Sequence, residues 1–417
     1  MTKFTYIFIC LLLSVGFWQI SFLQRFLLPD MVLALTWLWA LSSFYFFRGR
    51  LKINSIYASK YKNYVYYVFA GVFISMFSAY FFWGQSLITT LITQRQIYSF
   101  ILLPAILFVQ PENNDIIKAL KWISIGTIII WGISVFNPNF VSIDERAIAW
   151  HQSWENAPIG YYISGIYFVV LYLYFKIQEY INKFSWDSFL QVSFLLVFFV
   201  LYNNRSLLLG IIPIFIYSII KFKSKYKIIQ IFILSSIIIV GITYSWNIFE
   251  SFFQKTQNEL NNSDYNRWKS LNYFFNEYSP NWFCYLFGNG FPSGGNSSFG
   301  NLMWDNFENG IYASDLGMIG MWTTYGLLPL TAIYSVIIKV LNGKMFPLYL
   351  KFICIHVLFV PTIFEFWGDS GLFMFVLIIY LFAYYTERSK LLKRYIYNYN
   401  HHKVNVQLGK RIVFIQK

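Results

Sequence analysis

The sequence predicts an all-α, polytopic integral membrane protein with about twelve transmembrane helices. Three observations lead to this prediction. Hydrophobic residues make up 57% of the 417 residues, and charged residues only 12%. The apolar residues form many runs of roughly 15 to 25 residues, which is the length that a helix needs to cross a bilayer. These runs also lack the alternation of apolar and polar residues that a transmembrane β-barrel requires.

The predicted spans follow the apolar runs in chain order. The first resembles a signal peptide after Lys3, but Phe17, Trp18 and Phe22 stand where cleavage would need small residues. We therefore interpret it as a retained span. The predicted spans cover residues 4–23, 26–47, 64–83, 92–110, 116–136, 158–177, 187–203, 205–220, 228–247, 314–340, 345–364 and 369–386.

Lysine and arginine are concentrated in three connecting segments, which sets the predicted orientation. These segments are residues 48–62, residues 221–227 and the tail after residue 387. All three fall on one side when the spans alternate, so that side is predicted to be the cytoplasm, with both termini on it. The net charge of +14 is attributed to these loops, and no nucleic-acid partner is expected.

The stretch LYNNRSLLLG, residues 201–210, predicts a turn on the outer side of the membrane. A single helix over residues 187–220 would place the lysines after Ile220 outside, against the positive-inside rule. The chain is therefore expected to turn at Asn203, Asn204 and Arg205. The flanking apolar runs are short, which favours a turn recessed below the membrane surface.

Two polar segments lie on the same predicted outer side. The larger, residues 248–313, contains a stretch that looks helical and then a loop rich in glycine and serine. The smaller is residues 137–160. The predicted organisation is spans one to nine in residues 1–247, the large outer loop with catalytic elements in 248–313, spans ten to twelve in 314–386, and a basic cytoplasmic tail in 387–417.

Three arginines in these outer segments, Arg146, Arg205 and Arg267, could clamp a diphosphate through bidentate hydrogen bonds. Arg205 starts a predicted helix, where free backbone N–H groups also attract phosphate. Asn203 and Asn204 beside it indicate a hydrated pocket. The alternatives are an Arg205 that snorkels to the headgroups, an Arg267 paired with Asp264, and a self-paired, solvated segment around Arg146.

Asp305 and Glu308, just before the tenth predicted span, are candidate general bases. The alternative is a pair of solvated loop carboxylates. Trp268 and His151 complete the candidate substrate-binding set, whereas His356 is interpreted as a packed core histidine. Glu365 and Asp369 are candidates to line the same cavity. No nucleotide motif or Cys/His cluster is present, so neither a cofactor, a metal nor ATP is expected.

Three stretches, in this order, resemble the O-antigen polymerase and O-antigen ligase superfamily. NNRSLLLG is similar to the family's arginine-bearing turn. YNRWKSLNYFFNEYSPNWFCYLFGNGF is similar to its R-x-x-x-W, apolar, G-x-G loop, and DNFENGIYASDLGMIGMW to the segment that leads into its E-L-G-I-I-G span. With the predicted spans and the large loop between the ninth and tenth, the resemblance covers most of the chain.

The resemblance implies a metal-independent, inverting glycosyltransferase in the bacterial inner membrane, with its active site facing the periplasm. The implied donor is undecaprenyl diphosphate-linked glycan, with membrane lipid and a chain-length regulator protein as further partners. Arg205 and Arg267 match the arginines that hold the diphosphate leaving group. The family's ligases have a histidine followed by asparagine where this chain has Asp305 and Asn306. This departure favours a Wzy-type polymerase, which extends a lipid-linked repeat unit, over a ligase, which transfers glycan to lipid A core.

A flippase or another transporter for lipid-linked oligosaccharides is the alternative from a different class, because such proteins also have about twelve spans. Transporters are often built from two repeated halves with charges near the midplane of the bilayer. This chain shows no such repeat, and its polar residues gather on one side.

Overall fold

The computed structural model describes residues 1–24, 26, 28–47, 51–141, 163–183, 185–202, 205–221, 266–294, 297–313, 316–359 and 371–391, with a few single positions between 228 and 257. Within this part of the chain the structure is helical, and the only β-type contact is one isolated antiparallel bridge between Ile20 and Val141. The all-α prediction therefore holds for the described residues. The ninth predicted span lies almost entirely outside them.

Helices follow the apolar runs, and several begin at a side-chain cap. Ser86, Asn281 and Ser297 each accept a backbone N–H of the first turn that follows them. The helices are α1 (Lys3–Ser14), α2 (Ser21–Gln24), α3 (Pro29–Phe46), α4 (Leu51–Trp83), α5 (Leu87–Thr93), α6 (Leu102–Val109), α7 (Asn113–Phe136), α8 (Ile166–Asn182), α9 (Trp186–Tyr202), α10 (Arg205–Lys221), α11 (Asn266–Asn276), α12 (Trp282–Phe287), α13 (Ser298–Glu308), α14 (Met318–Tyr325), α15 (Leu327–Asn342), α16 (Leu348–Phe359) and α17 (Gly371–Leu391). Short 3₁₀ segments lie at Gly16–Gln19, Arg95–Ile101 and Pro138–Phe140.

Three helical segments of the described chain are long and apolar enough to cross a membrane: Asn63–Trp83, Asn113–Phe136 and Gly371–Leu391. The bent pair of Leu87–Thr93 with Arg95–Val109 would make a fourth if it were one span. These helices agree with a helical membrane protein. Six further apolar helices are shorter, at 10 to 17 residues.

The structure differs from the predicted spans at three breaks. The first span ends as a helix at Ser14, since Phe17 and Trp18 adopt left-handed backbone angles. The fourth is bent by 65° near Gln94. The tenth is divided at Gly326, between α14 and α15. Hydropathy averaged along the sequence does not detect such breaks, because each involves only one to four residues in an otherwise apolar run.

The predicted turn in LYNNRSLLLG agrees with the helix bounds. Helix α9 ends at Tyr202 and α10 begins at Arg205. Asn203 and Asn204 lie outside the described residues, so the geometry of the turn itself is not part of the description. These bounds agree with two helices, and the turn at Asn203 and Asn204 stays a prediction.

Segments that the alternation of spans assigns to the cytoplasmic side meet at one end of the helix bundle. Lys3 donates to the carbonyl of Gln110 at 2.7 Å, Tyr349 to Asn113 at 2.7 Å, and Tyr61 to Glu387 at 2.9 Å. The opposite ends of α4 and α7 contact segments assigned to the outer side. The orientation of these ends relative to the membrane stays a prediction.

Buried aromatic and aliphatic side chains form the core between these helices, and α8 and α17 lie deepest in it. His356 of α16 is fully buried there and hydrogen bonds through its Nδ1 to the hydroxyl of Tyr174 on α8. Its prediction as a packed core histidine is confirmed. A second, smaller cluster joins the outer end of α4 to α11 and α13.

Candidate functional site

The outer ends of α4 and α14 are joined by the stretch Gly288–Asn289–Gly290, which follows α12. The backbone N–H groups of Asn289 and Gly290 donate to the carbonyls of Thr323 and Thr324 at 2.8 and 2.9 Å. These carbonyls belong to the last turn of α14, where backbone carbonyls have no N–H donors within their own helix. The loop thereby completes the hydrogen bonding of a helix that stops at Tyr325.

Two glycines make this approach possible. Gly288 has φ +84° and ψ 161°, and Gly326 has φ +80° and ψ −172°. This backbone region is open almost only to glycine. A Cβ on Gly288 would lie 2.4 Å from the carbonyl oxygen of Thr324, and one on Gly326 would lie 2.4 Å from the backbone carbon of Phe287. The two backbones therefore pack directly on one another.

Asn289 anchors the same junction through its side chain, which is fully buried. Its Oδ1 accepts the indole N–H of Trp83 at 2.9 Å, and its Nδ2 donates to the hydroxyl of Ser279 and the carbonyl of Thr323, both at 3.1 Å. All the polar capacity of a buried amide is thus used within the protein, which leaves Asn289 a structural role.

Gln85, in the break between α4 and α5, ties down the segment that follows Gly290. Its Nε2 donates to the carbonyl of Phe291 at 2.8 Å, and its Oε1 accepts the backbone N–H of Ser293 at 2.7 Å. The hydroxyl of Thr93 donates to the same Phe291 carbonyl at 3.1 Å. Phe291 and Pro292 are therefore fixed in position from the membrane-facing side.

A cavity of about 190 Å³ lies between this segment, α11, α13 and the end of α14. Its walls, as far as the described residues form them, are mostly aromatic and aliphatic and include no charged side chain. Trp83 stacks on Phe299 behind the wall, with their ring centroids 4.7 Å apart. The lining residues are Phe274, Tyr278, Phe291, Pro292, Phe299, Met303, Asn306, Phe307, Ile311, Ala313 and Thr324.

Helix α13 presents two different faces because its apolar residues recur at helical spacing. Phe299, Met303, Asn306 and Phe307 face the cavity. Asp305 and Glu308 lie on the exposed side of the helix. The cavity is consequently a place that can bind a ligand, and the described part of its wall contains no carboxylate that could act as a base inside it.

Asn306 is the polar group of greatest interest in the wall, because it is 8% exposed and only half of its amide is used. Its Nδ2 donates to the hydroxyl of Tyr273 at 3.1 Å. Its Oδ1 accepts no hydrogen bond within the described part of the chain. An amide oxygen in an apolar wall is costly unless a ligand or water donates to it.

Burial keeps the tyrosines near the cavity in their neutral form. It raises the pKa of Tyr278 well above the usual value, with smaller contributions from Tyr273 and Cys284. Burial also raises the pKa of Tyr273, while the hydrogen bond from Asn306 lowers it. The Tyr278 ring in the wall therefore carries no charge near neutral pH, and Tyr273 keeps a hydroxyl proton to donate.

None of the candidate residues predicted from the sequence is among the described residues that line this cavity. Asp305, Glu308 and Trp268 are exposed, and none of them lines the cavity. Arg205 is the first residue of α10 and Arg267 the second of α11, and only their backbone is described. Residues of the predicted set outside the described part are Arg146, His151, Asn203, Asn204, Glu365 and Asp369.

Sequence reasoning missed Asn306, Asn289 and Gln85. The spacing of Phe299, Met303 and Asn306 at intervals of four and three residues was a usable signal, because it places all three on one helical face. No comparable signal identifies Gln85 or Asn289. Gln85 binds Phe291, 206 residues away, and Asn289 binds Trp83 and Thr323, 206 and 34 residues away along the chain.

Among the described residues, no group of three or more His, Cys, Asp or Glu side chains is placed to hold a metal ion. Cys10, Cys284 and Cys354 are all buried free thiols. Comparisons of the chain with protein-family models, with curated proteins and with solved structures find no match.

Proposed function

We propose that this chain is a glycan polymerase of the bacterial cytoplasmic membrane. It would transfer glycan from an undecaprenyl diphosphate-linked donor to a lipid-linked repeat unit at the periplasmic face. The observation that carries the proposal is the common location of two sequence stretches. The stretches 265–291 and 305–322, which resemble the polymerase and ligase superfamily, together form most of the cavity wall.

The wall suits a glycan-binding role better than a passage for a charged solute. Aromatic rings bind the apolar faces of sugars, and the unused Asn306 oxygen offers a polar contact. None of the described lining residues is charged, whereas transport sites for charged substrates commonly contain a charged group.

The two arginines supply the electrostatic part of the proposed reaction. Each stands at the start of a helix, where free N–H groups and the helix dipole add positive potential. In the reaction, the acceptor hydroxyl oxygen bonds to the anomeric carbon as the bond from that carbon to the phosphate oxygen breaks. The diphosphate leaves with the electron pair, and Arg205 and Arg267 stabilise its growing charge.

The proton of the attacking hydroxyl must pass to a base, and Asp305 and Glu308 are the proposed candidates. Both lie on the exposed side of α13, so the reacting hydroxyl would sit outside the apolar cavity and near the outer face of that helix. The cavity would then hold a neighbouring part of the glycan. Positioning by such a remote contact lowers the barrier by orienting the reacting atoms.

The test is reconstitution of the purified full chain in vesicles with lipid-linked repeat units from its own host. A polymerase produces a ladder of lengthened lipid-linked glycans, and Arg205→Lys should lose most of it because lysine lacks the two-pronged donor geometry. Arg95→Ala is the matched control, since Arg95 is an exposed arginine already paired with Asp30 at 2.7 Å.

Other outcomes identify the alternatives. Movement of the substrate between leaflets without lengthening would indicate a flippase and refute the proposal. Transfer to added lipid A core without lengthening would indicate a ligase. A ladder that Arg205→Lys and Arg95→Ala reduce equally would remove the assigned role of Arg205.

A further inference from the structure

The cavity between α11 and α13 combines a large apolar wall with one free hydrogen-bond acceptor. The acceptor is Oδ1 of Asn306, and the wall around it includes Phe274, Phe299 and Phe307. The amide is held in place because Nδ2 donates to the Tyr273 hydroxyl at 3.1 Å. That bond fixes Oδ1 as the side of the amide available to a ligand.

The size of the cavity limits what it can hold. Its volume is about 190 Å³, whereas an apolar cavity of about 150 Å³ accommodates benzene with its six heavy atoms. The cavity therefore has room for a compact group of roughly eight heavy atoms. A whole disaccharide does not fit, but a substituent of a sugar together with the adjacent edge of its ring does.

The chemistry of the wall selects among possible occupants. A hydrocarbon chain would fill the apolar space but leave the Asn306 oxygen without a donor, at the cost of a buried unsatisfied polar atom. A hydroxyl-rich sugar edge would leave several of its own hydroxyls unpaired against the phenylalanines. An acetamido group has an N–H for Oδ1 and a methyl group for the aromatic wall, and its carbonyl can remain hydrated because the cavity is open to solvent on one side.

We propose that this cavity binds the acetamido group of an N-acetylated sugar in the substrate. The inference rests on the proposed function for its biological meaning, since it names the kind of sugar that the polymerase would use. The binding site itself is a property of Asn306, which Tyr273 holds in place, and of the aromatic wall, and it can be measured without any transfer reaction.

The experiment is saturation-transfer NMR on the purified full chain with three probes: the methyl glycosides of N-acetylglucosamine, N-acetylgalactosamine and glucose. At least one acetamido glycoside should receive saturation at its acetyl methyl protons, and the glucoside should receive little. Asn306→Leu removes the acceptor at similar size and should weaken that binding about tenfold or more. Met303→Trp should weaken it by filling the cavity from a different position on the wall.

Asn301→Leu is the control, because Asn301 is an exposed asparagine on the same helix. This variant should bind the acetamido glycosides as well as the unmodified chain does. Melting temperatures of all variants establish that they are folded. If Asn306→Leu does not fold, Met303→Trp decides the matter.

Several results would overturn the inference. The first is binding of the glucoside equal to that of the acetamido glycosides, and the second is no saturation of either acetamido glycoside. The third is displacement of the acetamido probe by geraniol with loss of selectivity, which would indicate a site for a lipid chain. Failure of the proposed function gives a different pattern: selective acetamido binding that depends on Asn306, with no glycan lengthening. Lengthening without acetamido selectivity would sink this inference alone.

Discussion

Replacing Gly326 with alanine is expected to destabilise the junction between α14, α15 and the loop at Gly288. Gly326 combines φ +80° with ψ −172°, and its Cα lies against the backbone of Phe287. An added Cβ would meet the backbone carbon, the Cα of Phe287 and the carbonyl oxygen of Leu286 at 2.4 to 2.7 Å. Backbone atoms cannot rotate away as a side chain can, so the two chain segments must separate.

The expected cost has two parts. Holding an L-residue in this backbone region costs about 1–3 kcal/mol. Forcing an extra carbon into a packed contact costs about 1–3 kcal/mol more. The sum of about 2–6 kcal/mol is a large fraction of the free energy of unfolding of a typical protein, which is about 5–15 kcal/mol.

Two other glycines separate these contributions. Gly84 has φ +65° but nothing within 4 Å of a Cβ, so Gly84→Ala tests the backbone angle alone. Gly132 lies inside α7 with open space and no positive φ, so Gly132→Ala should be neutral or stabilise by about 0.5–1 kcal/mol. The expected order of stability is Gly132→Ala, then Gly84→Ala, then Gly326→Ala.

The assay is the apparent melting temperature of the detergent-solubilised full chain, read from the folded fraction after heating. Gly326→Ala should melt about 5 °C or more below the unmodified chain. The reasoning fails if Gly326→Ala melts no lower than Gly84→Ala, because the backbone contact with Phe287 would then contribute nothing.

Three further predictions follow from the sequence and the structure. Tags within residues 221–227 and after residue 390 should report a cytoplasmic location, and tags within residues 255–300 should report a periplasmic one. A cytoplasmic signal from residues 255–300 would contradict both the predicted orientation and the proposed site. Arg205→Ala and Arg267→Ala should each lower turnover more than substrate binding. The double variant should be about as active as the worse single variant, because both arginines act on one leaving group. Near-normal glycan length in cells that carry Arg205→Ala at matched protein abundance would remove the assigned role of Arg205. Burial raises the pKa of the Cys284 thiol from 9.0 to about 11. Between these pH values the unfolded chain loses a proton that the folded chain keeps, so the free energy of unfolding falls as the pH rises. The Cys284→Ala variant should show a smaller fall over this range, and an equal fall would contradict the assignment.

The helical class and most helix positions could be predicted from the sequence, because long apolar runs leave few alternatives in a bilayer. The bounds of α9 and α10 agree with the turn that the lysines after Ile220 predict, and the turn residues themselves lie outside the described part of the chain. These predictions depend on local composition and on charge counts. They need no knowledge of which helices touch.

The cavity could not be predicted in the same way, because its walls come from distant parts of the chain. Asp305 and Glu308 are the carboxylates of this segment, yet the structure places them on the exposed side of α13 and turns Asn306 inward. The rotation of the helix about its axis decides which side chains face the cavity. Asp305 and Asn306 are adjacent in sequence, and they lie on different faces of α13. A ranking of residues by chemical type alone therefore selects the neighbour of the buried group.

The breaks in the apolar helices explain why the outer segment and the bundle form one structure. A helix that ends within or near a membrane leaves carbonyl groups that lipid cannot satisfy. At Gly326 those carbonyls, on Thr323 and Thr324, receive the N–H groups of Asn289 and Gly290. At the break after α4, Gln85 binds the next residues of the same loop. The loop thus supplies hydrogen bonds that the helices need, and the helices fix Phe291 and Pro292 in the cavity wall. The stretch Gly288–Asn289–Gly290 is accordingly tied to the end of α14, and it leads directly into the cavity wall at Phe291.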